Sequence, residues 1–232
     1  MQDDLLSNRV YDQLYAAMIS NRLAPGDRLN RRQVATDLGV SVAPVLEAMT
    51  QLEWEGFLET KPRQGTVVKS VTPSHSLGRF LLRQAIEVEA ARRYAGARIA
   101  REKSDLLEIA ERLDATKEGS FANWKAEAEF HSRLVRAADC PVLYEAFTHV
   151  MRHGLYHAAI RMLPEIPHRA PGLHSRLVET LSKATPEKAD TAIRDHLSSW
   201  IEALTTATQR AADAPEKRRR KPVKLKPVRT GK

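Results

Sequence analysis

Glu127 and His131 stand four residues apart in the run EAEFH, His174 follows further along, and His196 lies twenty-two residues beyond it. The first two share one face of a helix, about one turn apart, and the other two fall in later stretches of helical pattern. One carboxylate and three imidazoles suit a borderline divalent ion such as zinc, nickel, manganese or iron. A site with four protein ligands still leaves coordination positions open. They could activate water, as in a hydrolase, or hold a small carboxylate. Spacing alone leaves a plainer alternative standing, in which each histidine belongs to a polar helix face or the core. No Ser-His-Asp pattern, Gly-rich phosphate loop or separate general base accompanies the four, which makes catalysis the weaker of the two chemistries.

A second histidine stripe, His149, His153 and His157, runs at strict i+4 spacing through THVMRHGLYHAA. Three imidazoles on one face could line a pocket, back up a metal ligand or form an unrelated metal site, and spacing does not choose between them. His75 and His168, at segment edges, are expected at the surface. The single cysteine, Cys140, excludes an internal disulfide and fits a reducing cytoplasm. It reads as a helix-start or core residue without a redox role.

The elements that must position these residues follow from periodicity. From Ser76 to Arg210 the pattern is helical, with breaks near Gly119, Pro141, Pro164, Pro167, Pro171-Gly172 and Pro186. Six helices are expected, roughly 76–100, 103–117, 120–138, 141–161, 168–183 and 187–210, giving an all-α bundle over 76–210. Residues 71–75, with Pro73, read as a linker. Upstream, Val10 to Asn21 is amphipathic and ends before the turn dipeptide Pro25-Gly26. Val34, Ala35 and Leu38 form an apolar stripe closed by Gly39, and Ser41 opens a further helix marked by Val45, Met49 and Leu52. Two short helices joined by a glycine turn make a helix-turn-helix. The β-rich runs 56–60 and 66–69, separated by Lys61-Pro62-Arg63-Gln64-Gly65, read as a hairpin wing. The fold class is therefore mainly α: a winged helix-turn-helix over 1–70 followed by a helical bundle.

Charge is distributed unevenly. The chain carries a net +8, but residues 215–232 hold nine Lys or Arg and one acid, so this segment alone supplies the excess. Residues 1–214 are balanced at 28 of each sign, and residues 1–70 carry eight basic against nine acidic side chains. A tail over 211–232 with three prolines and a run of like charge is expected to be disordered, and a flexible polycation binds nucleic acid without sequence preference. The length suits two domains. No apolar run approaches a membrane span, and the acidic start MQDDLLSNRV lacks the apolar core of a secretion signal. The location expected from these features is cytoplasmic.

The first seventy residues resemble the N-terminal domain of GntR-family transcriptional regulators. The match runs through Leu23-Ala24-Pro25-Gly26-Asp27-Arg28-Leu29, Gly39-Val40-Ser41, Pro44-Val45, Glu47-Ala48, Leu52, Glu53, Gly56 and the wing glycine Gly65. The departures are Val42 and Leu46, which stand where the family has arginines that contact base edges and phosphates. An arginine paired bidentately with guanine contributes about 1–3 kcal/mol of discrimination, so their loss implies an unusual operator. The residues expected at the DNA are Arg31, Arg32, Ser41, Val42, Ala43, Leu46, Gln64 and Gly65, with the cationic tail as a non-specific tether.

The remainder resembles the FCD effector domain of the FadR subfamily. Glu127, Phe130-His131, His174 and His196 fall on its metal-binding pattern, and Arg83 and Glu87 match its opening helix. Glu127 replaces an aspartate, and Cys140-Pro141 replaces a frequent Asn-Pro. The resemblance implies that Glu127, His131, His174 and His196 hold a divalent metal and that a small organic-acid effector binds beside it. Arg83 is the implied carboxylate partner, unless it pairs internally with Glu87, and His153 is a candidate lining residue. The expected protein is a homodimeric regulator of double-stranded DNA, not an enzyme, in which the effector shifts an equilibrium between two dimer geometries. Two alternatives remain: a metal or small-carboxylate binding protein with little operator specificity, and a metal-dependent hydrolase.

Overall fold

A computed structural model of the chain describes residues 2–63, 65–160 and 170–213. Two compact units are present, one ending at Val71 and the other beginning at Thr72.

The first unit holds α1 (Gln2–Ile19), β1 (Arg28–Leu29), α2 (Arg31–Leu38), α3 (Val42–Trp54), β2 (Leu58–Lys61) and β3 (Gly65–Val68). Asn30 caps α2 by accepting from the Arg32 and Gln33 amides. Gly39 ends that helix at φ +68°, a left-handed conformation that favours glycine, so the turn into α3 follows from sequence. α3 presents Pro44, Val45, Ala48, Met49 and Leu52 to the core. Val10, Leu14, Met18 and Phe57 complete the apolar interior of this unit.

The wing is a three-stranded antiparallel sheet in the order β1-β3-β2. β2 and β3 form the expected hairpin, with Leu58 opposite Val68 and Lys61 opposite Gly65. The third strand was not anticipated. Arg28 and Leu29 pair with Val67 and Thr66, and two residues are too few for any periodic signal. Gln64 lies outside the described residues.

The second unit is built from α4 (Pro73–Tyr94), α5 (Ala97–Asp114), α6 (Phe121–Arg136), α7 (Pro141–Ala159), α8 (Leu173–Leu181) and α9 (Pro186–Ala212). Three boundaries differ from expectation. Residues 73–75, read as linker, are the first turn of α4: Thr72 accepts from the His75 amide while His75 Nδ1 accepts from the Thr72 amide. A proline at the first helical position supports the early start. The break expected between residues 100 and 103 falls at Ala95-Gly96 instead. Gly96 sits at φ +73° and donates its amide to the Leu181 carbonyl, a tertiary bond invisible to local pattern. α8 begins only at Leu173, after Gly172 at φ +67°. His168, Pro164, Pro167 and the basic segment beyond Asp213 lie outside the described residues; α9 itself continues to Ala212, into the start of the expected tail.

The apolar interior of the bundle is not a single cluster. Tyr94, Leu106, Leu113, Phe130, Leu134, Phe147 and Leu197 are buried together, while Phe80, Trp124, Trp200 and Leu204 form a separate aromatic cluster. Among the described residues no helix is long and apolar enough to cross a membrane.

Candidate metal centre and DNA-reading face

Three helices send the four candidate ligands into the interior of the bundle. α6 supplies Glu127 and His131, α8 supplies His174 and α9 supplies His196. Ring nitrogens of the three histidines all lie within 4.8 Å of one another. Glu127 bridges two of them, with Oε2 3.4 Å from His131 Nε2 and Oε1 3.2 Å from His174 Nε2. His196 Nε2 is 3.3 Å from His131 Nε2. Glu127, His131 and His174 are at most 2% exposed. Phe130 packs edge-on against both His131 and His174, with ring centroids 5.1 Å apart in each case, which limits the rotation of the two rings.

Two further carboxylates orient the imidazoles from behind. Glu87 Oε2 lies 2.6 Å from His131 Nδ1, and Asp114 Oδ1 lies 2.6 Å from His174 Nδ1. Burial alone would raise the Glu87 pKa, but His131 and Arg83 outweigh it and hold the carboxyl below its usual range. Burial is likewise outweighed at Asp114 by the hydrogen bonds from His174 and the Ser175 amide. Both acids are thus ionised and accept Nδ1–H from their histidines, which turns the Nε2 atoms of the two rings inward. This carboxylate–histidine arrangement is the one that metal-binding imidazoles use to fix their tautomer. Burial first, then the charges of His131 and His174, push His196 well below the usual imidazole range.

The donors fit a divalent ion. His174 Nε2 and His196 Nδ1 are buried without hydrogen-bond partners. Ring nitrogens of three imidazoles converge with a carboxylate on one point, and imidazole and carboxylate donors are what such an ion takes. Glu127 is longer than an aspartate by one methylene, yet its oxygens reach two of the three rings.

Arg83 sits behind this cluster. Its Nε donates to Glu87 Oε1 at 2.6 Å, and Nη2 lies 3.7 Å from Glu127 Oε2. The internal pair with Glu87 is therefore present. Arg83 Nη2 is nevertheless buried without a hydrogen bond. It lines a small cavity with Arg79, Phe80, Trp124, Met151 and Leu155, whose free volume of about 10 Å³ is that of one water molecule. A larger cleft of about 230 Å³ opens beside Asp114, Asn123, Gly172 and His174.

The second histidine stripe takes a different part of the bundle. His153 and His157 are buried on α7, with ring centroids 6.0 Å apart, and His149 stacks edge-on 5.2 Å from His153. His153 is not among the residues lining the Arg83 cavity. His157 Nδ1 is 3.0 Å from Ser76 Oγ on α4. Burial, and after it the charges of Arg79 and His75, lower the His157 pKa to about 4. The unfolded chain then binds a proton near pH 6.5 that the native state refuses until about pH 4. Stability is therefore lost as pH falls through that window, by about 2 kcal/mol at pH 5. Melting temperatures at pH 7.5 and pH 5 should show the drop, and His157→Gln should shrink it; an equal drop in the variant would assign the effect elsewhere.

On the first unit, Arg31 and Arg32 are exposed at the start of α2, and Ser41, Val42, Ala43 and Leu46 are exposed at the start of α3. Ser41 holds the N-cap position but makes no side-chain cap bond. Gly65 is exposed at the wing, at φ +75°.

The comparisons with known proteins decide what this arrangement belongs to. Residues 6–68 match the gntR family of bacterial regulatory proteins, and residues 79–199 match the FCD domain. The chain belongs to the GntR family of transcriptional regulators. Over 90% of its length it is 23% identical to the HTH-type transcriptional repressor RspR of Escherichia coli, 92% of which is covered. It is 26% identical to a probable D-xylose utilization operon transcriptional repressor of Paenarthrobacter nicotinovorans, over 85% of this chain and 88% of that one. Its fold is that of a putative GntR regulator from Rhodococcus sp. RHA1, with TM-score 0.65 at 20% identity, covering 87% of this chain and 98% of that one. An FCD domain is the effector module of the FadR subfamily, and a GntR regulator is not an enzyme, so the hydrolase alternative falls. Sequence reasoning overlooked Asp114 altogether. It lies sixty residues from the histidine it orients, and nothing in its local pattern separates it from a surface acid.

Proposed function

We propose that this GntR regulator binds operator DNA as a homodimer and that its FCD domain holds one divalent metal through Glu127, His131, His174 and His196. The observation that supports this most is the pair of backing carboxylates, Glu87 and Asp114, which turn the Nε2 atoms of His131 and His174 toward one point. Such an ion supplies positive charge and open coordination positions to a ligand that enters beside it.

The effector class follows from the same neighbourhood. Arg83 Nη2 and Arg79 place positive charge beside a cavity walled by Phe80, Trp124, Met151 and Leu155. That combination favours a small organic acid with an apolar body. A cavity the size of one water admits it only if side chains shift, so acid binding is coupled to a change in the bundle. Arg31, Arg32, Ala43 and the wing around Gln64 and Gly65 serve the DNA contact, and the cytoplasm is the compartment this role requires.

A panel of small carboxylic acids tested on metal-loaded full-length protein checks the reading. An acid that raises the melting temperature should also change affinity for a duplex recovered by binding-site selection. An acid that stabilises the protein while leaving DNA affinity unchanged would overturn the regulatory part.

A further inference from the structure

The first turn of the reading helix carries no charge, and the helix has no cation that could read a guanine. α3 runs VAPVLEAMTQLEW and contains neither Lys nor Arg. Of its two acids, Glu53 is engaged by the Thr60 amide and hydroxyl at 2.7 and 3.1 Å, and Glu47 is exposed in the second turn. What the helix start offers to solvent is apolar: Val42 and Leu46 are each 43% exposed, at i and i+4 on one side.

We propose that Val42 and Leu46 read thymine C5-methyl groups in the major groove, so that this end of α3 selects A·T pairs. The inference rests on the DNA-binding role of the helix-turn-helix, whose second helix places its N-terminal residues against base edges. The thymine methyl is the apolar group that the major groove displays. Set against guanine or cytosine, the same side chains would bury donors and acceptors with nothing to pair them, which costs more than it gains. Side chains one turn apart, roughly 5–6 Å between Cβ atoms, span one to two base-pair steps of 3.4 Å. The preferred half-site therefore has thymines one or two steps apart beneath Val42 and Leu46. Trp54, though 86% exposed, lies three turns further along α3 and belongs to the other end. Orientation on the duplex is left to Arg31, Arg32 and the free amides at the start of α3, which contact phosphate and carry no sequence information.

The test uses full-length protein and a duplex recovered by selection from a random library. Thymines in that duplex are replaced one at a time by deoxyuridine, which removes only the methyl. At the thymines read by α3, each replacement should weaken binding about fourfold per half-site, or about fifteenfold when both halves of a symmetric operator are changed. In the Val42→Ser, Leu46→Ser double variant the same replacements should change affinity less than about twofold. Both positions are exposed, and an unchanged melting temperature confirms that the variant folds. Indifference of the native protein to uracil would overturn the proposal, as would an equal loss in the variant. Failure to enrich any duplex would overturn the DNA-binding role on which it rests.

Discussion

Replacing His174 by alanine should weaken divalent-metal binding by at least about 100-fold. Removing an outer carboxylate partner from such a site typically costs 10- to 100-fold, and a ligand itself contributes more. His174 is the right residue to remove because its Nε2 points to the centre without a hydrogen bond of its own. Its other nitrogen is held by Asp114, which also accepts from Ser175 and so keeps partners after the change. The readout is the rise in melting temperature on adding zinc. A ligand that binds only the native state stabilises it in proportion to the logarithm of its concentration over Kd. At fixed zinc the variant should therefore lose roughly 2.7 kcal/mol of that stabilisation. Asp114→Asn, which keeps the shape and weakens only the backing hydrogen bond, should fall between the two proteins. A zinc-dependent shift of full size in His174→Ala would remove this histidine from the ligand set.

Replacing Glu87 by alanine should destabilise the second unit by about 3–5 kcal/mol, the usual consequence of stripping one partner from a buried ion pair. Glu87 is 1% exposed and accepts from Arg83 on one oxygen and from His131 on the other, both at 2.6 Å. Without it, the 3%-exposed guanidinium keeps only Glu127 at 3.7 Å, and the His131 Nδ1–H loses its acceptor. A domain of this size loses on the order of 2–4 °C per kcal/mol, so a fall of about 10 °C is expected in the metal-free protein. The cost comes from the stranded charge and not from the volume removed. Replacing Arg83 and Glu87 together by Met and Leu should therefore recover most of it. A double variant as unstable as Glu87→Ala would show that the pair itself, and not the uncompensated charge, supports the fold.

The two predictions touch the part of the site that was hardest to see in the sequence. Glu127 and His131 are four residues apart in a helical run, and His174 and His196 are histidines in later helices, so the inner set is suggested by residue type and spacing. The resemblance to the FCD pattern then joins them. The backing residues carry no such mark. Glu87 is visible as half of a helical i+4 pair with Arg83 and as part of the FCD opening helix, neither of which points to His131, forty-four residues away. Asp114 closes α5 and meets His174 across the bundle, a contact that depends on where Gly96 breaks the helix. That break was itself misplaced, because the amide of Gly96 is satisfied by Leu181, far along the chain. Long-range hydrogen bonds decided what periodicity did not. In the first unit almost everything depends on local signals. Asn30 and Gly39 bound α2, Pro25-Gly26 turns the chain, and the stripe Val45, Met49 and Leu52 sets which side of α3 is buried. The exposure of Val42 and Leu46 follows from that stripe, which is why their apolar character stands out as a property of the reading face and not of the core.

The most direct measurement is X-ray absorption at the metal edge on full-length protein reconstituted with one divalent ion per chain, together with elemental analysis of the same sample. The expected result is one tightly held ion per chain, bound by three imidazole nitrogens and carboxylate oxygen, with the imidazole count falling by one in His174→Ala. Protein that retains no ion, or an ion whose imidazole count is unchanged by that substitution and falls instead when His149, His153 or His157 is replaced, would contradict the assignment of Glu127, His131, His174 and His196 as the metal centre.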